Sequence, residues 1–158
     1  MKKIMLLTFI SFLVSNCTND DDAGIDCALF DPVFSSLYIK FVDANGNNLI
    51  ENETIDPDEI LLENGFGFRF NPPEEFAAPE AEIRVLDNTL ALFIPYESIF
   101  QYRLDLGGGN RVTLDFTAER TEIECNLVYY TPTSVTNNDK TLALEEVFTL
   151  VFLSEVEL

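Results

Sequence analysis

Histidine and tryptophan are both missing from this chain. Without histidine, Ser-His-Asp and Cys-His nucleophilic catalysis are excluded, and so are the commonest zinc ligand sets. Basic residues are scarce as well: 9 Lys and Arg stand against 28 Asp and Glu, a formal net charge of −19. A surface of that sign repels phosphate backbones and anionic lipid headgroups, so no nucleic-acid partner is expected. Long apolar runs are lacking too. The longest, Ile4 to Val14, spans 11 residues, well short of the roughly 20 that a membrane-crossing helix needs.

What is present is enough for one domain. The chain has 158 residues, 47% of them hydrophobic and 14 of them Phe, sufficient for a single core and too few for two sizeable ones.

The N-terminus has the form of an export signal. Lys2-Lys3 is a short basic segment, Ile4–Val14 an apolar one of secretory length, and Val14-Ser15-Asn16-Cys17 follows. That tetrapeptide resembles the lipobox of bacterial lipoprotein signals, with an aliphatic residue three positions before a lipidated cysteine; Asn16 departs from the small residue usual there. The resemblance implies cleavage after residue 16, with Cys17 carrying diacylglycerol and becoming the first residue. Loss of Lys2 and Lys3 takes the formal charge from −19 to −21. Residues 17–26 then form a tether containing Asp20-Asp21-Asp22, whose like charges keep it extended. An acidic cluster at this place also resembles the signal that carries flavobacterial lipoproteins to the outer face of the outer membrane. Acyl chains, at about 0.8 kcal/mol per buried methylene, would hold even an acidic protein on a membrane.

The chain has three cysteines. With Cys17 assigned to lipid, Cys27 and Cys125 remain, and an exported compartment permits a bridge between them. Two buried thiols are the alternative.

From residue 27 onward the pattern is that of strands. Leu37, Ile39 and Phe41 alternate, Asn45-Gly46 signals a turn, and a short return strand at Leu49-Ile50 is expected. Strands are also expected at Ile60–Leu62, Phe66–Phe70, Glu82–Leu86 and Thr89–Ile94. Phe100, Tyr102, Leu104 and Leu106 alternate up to Gly107-Gly108-Gly109-Asn110, and Val112, Leu114 and Phe116 alternate after it, a hairpin with one buried face. Ile123, Cys125, Leu127 and Tyr129 share a face in the next strand, Asn137–Lys140 turns the chain, and Val147–Leu153 reads as one central strand. The expectation is all-β: an antiparallel sandwich or flattened barrel of about eight short strands, forming one domain over residues 27–158.

Few residues suggest chemistry. Asp43, Asn45 and Asn47 fall at positions one, three and five of a partial calcium loop, with Ile50 at position eight. Position twelve is Thr54, so the bidentate carboxylate is missing, and a strand-connecting turn is the stronger reading. Gly107–Gly109 lacks the Lys-Ser or Lys-Thr of a phosphate loop and reads as a hairpin. Tyr38, Tyr96, Tyr102, Tyr129 and Tyr130 are the candidates for an aromatic sugar platform, with Tyr102 and Tyr129 read as core. The 28 acids supply many carboxylate pairs, none singled out for glycoside hydrolysis.

The strings LYIKFVDANGNNLIENETIDPDEI and YRLDLGGGNRVTLDF, followed by Cys125, are similar to small lipoproteins of flavobacteria and their relatives. The resemblance implies location and β-rich character and transfers no site. The expectation is a non-enzymatic domain, lipid-anchored at the outer membrane and exposed at the cell surface or facing the periplasm, without a cofactor and with a protein or glycan partner. A carbohydrate- or peptide-binding accessory of an uptake system and a carboxylate-dependent hydrolase are the alternatives.

Overall fold

The computed structural model describes residues 26–158. The signal (1–16), Cys17 and nearly all of the acidic tether lie outside the described residues. The chain divides into two compact units, Met1–Asp31 and Pro32–Leu158. In the first, the described residues make a short turn in which Leu29 N–H donates to Asp26 O. The β unit therefore begins at Pro32, a little beyond the expected Cys27.

That second unit contains ten strands: β1 Ser36–Val42, β2 Leu61–Asn64, β3 Phe68–Asn71, β4 Thr89–Leu92, β5 Ile99–Asp105, β6 Arg111–Ile123, β7 Leu127–Asn137, β8 Lys140–Leu142, β9 Glu145–Phe148 and β10 Val151–Glu157. They form two five-stranded sheets, ordered β3-β4-β1-β10-β9 and β2-β5-β6-β7-β8. The sheets do not close into a barrel, so of the two expected architectures the sandwich is the one formed. Pairing is antiparallel except between β1 and β10, which run parallel, with Ile39 opposite Ser154 and Phe41 opposite Val156. The first and last strands thus meet at the centre of one sheet, a pairing that strand periodicity does not encode.

Alternation decides which face is buried. Leu37, Ile39 and Phe41 of β1 meet Phe100, Tyr102 and Leu104 of β5 and Leu114 and Phe116 of β6 in one core. Phe100 stacks on Phe116 with ring centroids 5.0 Å apart. The Gly hairpin forms as expected: Leu106 N–H donates to Asn110 O at 2.8 Å, and all three glycines have positive φ.

Four local expectations are corrected. Leu49-Ile50 is a buried turn carrying a single bridge, Val42 to Asn48, because Asn48 Oδ1 accepts from Ile50 N–H and bends the chain. Glu82–Leu86 is a 3-10 segment in which only Leu86 is buried. Val147–Leu153 is broken by a turn at Thr149-Leu150, with Leu150 at φ 59. Cys125 lies at the tip of the β6–β7 hairpin, outside any strand: Leu127 N–H donates to Glu124 O across Cys125 and Asn126, both of positive φ, the signature of a tight hairpin turn.

Candidate functional site

Among the described residues a cleft of about 1120 Å³ opens on the outer face of the β1-containing sheet. Its floor is Lys40 and Glu155, register partners across β1 and β10 whose charged ends are 3.8 Å apart. One wall is the turn after β1. Asn48 Nδ2 donates to Asn88 O at 3.1 Å, fastening that turn to the start of β4. The opposite wall is the Pro-rich segment before β4, and Arg84 holds it in shape. Arg84 donates to Ala77 O at 2.5 Å, Ala78 O at 2.9 Å and Asp87 Oδ2 at 2.8 Å, so its guanidinium is occupied by the loop it supports.

Beside Pro73 and Pro79, the cleft is lined by Lys40, Asn47, Glu51, Asn52, Asn88 and Glu155, of which Asn47 gives its Nδ2 to Asp43 and Asn52 Oδ1 accepts from Thr54 N–H. In a chain with so few cations, Lys40 and Arg84 both line this one concavity. The arrangement presents hydrogen-bond donors and acceptors side by side with both signs of charge, the lining suited to a polar, hydroxyl-rich ligand. Asp87 is tied down on both oxygens, to Arg84 and to Glu74 N–H at 3.2 Å.

The expected calcium-loop residues sit at the rim. Asp43 Oδ1 accepts from Asn45 N–H at 2.8 Å and Asn47 N–H at 2.9 Å, and Oδ2 accepts from Asn47 Nδ2 at 2.8 Å. These bonds, the one from the Asn47 side chain foremost, hold the carboxyl of Asp43 below the usual carboxylate range. Asn47 thus turns an amide donor toward Asp43, and the three residues close a turn on themselves. Among the described residues no three Cys, Asp or Glu side chains gather as a metal-binding group would require.

The tyrosines separate. Tyr102 is fully buried, its one hydroxyl proton shared between Gly67 O at 2.8 Å and Phe93 O at 2.6 Å, and burial pushes its pKa up to about 12. Tyr38 lies on the outer face of β1 in a shallow hollow with Arg69 and Phe93. Tyr96, Tyr129 and Tyr130 come together with Phe34 around a small groove of about 100 Å³. The ring pairs Tyr96–Tyr130 and Phe34–Tyr129 are edge-on at 6.3 and 6.1 Å. Tyr129, expected in the core, is only half-buried, because the β6–β7 ribbon runs on past the start of β5, where Thr117 is the last β6 residue paired with it. Cys27 and Cys125 are both half-cystines.

Sequence reasoning located the turn of Asp43 but missed the Lys40–Glu155 floor, whose members lie far apart in the chain and meet only through the parallel pairing. Compared with known proteins, the chain matches no family model, no curated protein and no solved structure.

Proposed function

We propose that this chain is a bacterial lipoprotein, similar to those of flavobacteria, whose β-sandwich is a non-enzymatic binding module tethered through Cys17 to the outer membrane and exposed at the cell surface. The anchor rests on the N-terminal signature of Lys2-Lys3, the short apolar segment and Cys17. The binding role rests on the polar cleft floored by Lys40 and Glu155, large enough for a small sugar or a peptide side chain and lined by amides and carboxylates. A carbohydrate- or peptide-binding accessory of an uptake system is the second reading, and it draws on that same lining. A hydrolase would need paired free carboxylates; of the three that line this cleft, Asp87 is committed to Arg84 and the loop backbone and Glu155 lies 3.8 Å from Lys40, which leaves Glu51.

Intact mass of the protein from its native membranes tests the anchor. The expected species begins at Cys17, carries acyl mass, and gains two hydrogens when a Cys27–Cys125 bridge is reduced. A species retaining Met1 and no lipid sinks the lipoprotein reading. Calorimetric titration with neutral oligosaccharides tests the cleft: saturable binding lost in Lys40→Ala supports it, whereas binding unchanged by that substitution, or no binding to any sugar or peptide offered, removes the cleft from the function.

A further inference from the structure

The two ends of the sandwich differ in chemistry. At one end lie the turns 43–48, 87–88, 107–110 and 138–139, built from Asp, Asn, Gly and Ala. At the other, register sets the start of β1 beside the end of β4, and Phe34 and Ser35 share a groove with Ile94, Tyr96 and Tyr130 on the way into β5. Six large apolar side chains are exposed there: Val33, Phe34, Phe66, Phe93, Tyr96 and Ile99, with Tyr96 75% and Ile99 74% exposed. Tyr129 and Tyr130 extend the same surface. Leu61, Phe76, Ile83 and Leu158 are exposed elsewhere, each apart from the others or in the loop before β4, whereas these six, with the tyrosines, gather at one end, and a gathering of this kind marks a contact surface.

The chain enters the β unit through this end, since Pro32, Val33 and Phe34 immediately precede β1. Cys17 lies upstream, and the stretch from Cys17 to Val33 reaches at most about 55 Å when fully extended. The end through which the tether enters is the end drawn toward the anchor. Aromatic side chains with a polar tip, such as Tyr96, Tyr129 and Tyr130, favour the headgroup level of a bilayer.

From this coincidence of tether entry and aromatic end, we infer that the aromatic end is a membrane-contact surface that rests on the headgroup layer, leaving the polar cleft directed away from the bilayer. The inference rests on the lipoprotein reading above. Glu97 and the ribbon carboxylates Glu119, Glu122 and Glu124 lie at the same end, with Arg120 paired to Glu122 at 3.0 Å. Their charge selects the lipid: zwitterionic headgroups are tolerated and anionic ones repelled.

The absence of tryptophan makes the test direct. Tyr96→Trp and, at the polar end, Leu158→Trp each place a single tryptophan in the full lipidated protein, which is reconstituted into phosphatidylcholine vesicles containing brominated lipid. The expected result is that Tyr96→Trp emission shifts to shorter wavelength and is quenched, while Leu158→Trp emission matches that in bromine-free vesicles. Adding phosphatidylglycerol weakens the quenching at position 96. An acylated chain in which neither tryptophan is quenched, or both equally, overturns the inference and leaves the anchor intact. An unacylated chain, identified by mass, that does not associate with vesicles overturns both.

Discussion

At the scale of single residues, three side chains make separable predictions. Asp43 accepts two backbone N–H groups and one amide, which depresses its pKa in the fold. Its contribution is present above its unfolded pKa of about 3.9 and is lost as pH falls through the lower folded value. Asp43→Ala is expected to lower the melting temperature at neutral pH and to remove part of the acid destabilisation, read as melting temperature against pH. Tyr102 shifts the opposite way, with burial raising its pKa to about 12. Its contribution is whole below the unfolded value of about 10 and disappears as pH rises from there through the folded value. Tyr102→Phe leaves Phe93 O without this donor, while Gly67 O keeps the Phe93 N–H, so chemical denaturation is expected to show a loss of about 1–3 kcal/mol, with a shallower alkaline limb. Ser154 is the reverse case: its Oγ is buried between the sheets and has no hydrogen-bond partner among the described residues. Ser154→Ala removes an uncompensated hydroxyl and is expected to raise stability by about 1 kcal/mol, measured by the same denaturation.

Elements succeed or fail according to what their turns and loops permit. The β5–β6 hairpin forms where three glycines supply positive φ, and its alternation already declares the buried face. The segment before β4 does not follow its own alternation. Pro72 and Pro73 remove backbone donors at the end of β3, and Arg84 gathers carbonyls from Ala77 and Ala78 into a compact loop. Arg84→Ala is expected to release this wall of the cleft, seen as faster amide exchange over Glu74–Asp87 with the core strands unaffected. A drop in stability of about 1 kcal/mol accompanies it, from the part-buried Ala77 O that loses its donor, while Ala78 O keeps the Ala81 N–H. If exchange there is unchanged, the loop is held by something other than this guanidinium.

Across the whole molecule, the charge imbalance is the controlling quantity. With 28 acids against 9 bases, self-repulsion opposes the compact state and salt screens it. Melting temperature is therefore expected to rise between about 0.01 M and 0.5 M sodium chloride, where the screening length falls severalfold. A flat response would mean that the acids are spaced too widely to act together. The same scale carries the polarity of the sandwich, since only the assembled sheets set an aromatic end against a polar one.

The all-β character was legible in the chain because alternation is a local property: Leu37-Ile39-Phe41, Phe100-Tyr102-Leu104 and Val112-Leu114-Phe116 each name their buried face within a few residues. The turns at 107–110 and 137–140 were legible for the same reason, through glycine and asparagine. Leu150 hid the turn between β9 and β10, because a leucine at positive φ gives no warning in composition. Cys125 sat in an alternating run and yet occupies a hairpin tip, so its environment followed from where the chain reverses. The parallel pairing of β1 with β10, the Lys40–Glu155 floor and the gathering of Phe34 with Tyr96 and Tyr130 join residues far apart in the chain. Periodicity gives each strand a face but no neighbour. The charge and the turns were determined by the sequence alone, and the neighbours that make a cleft or an aromatic end were decided only by the packing of one sheet on the other.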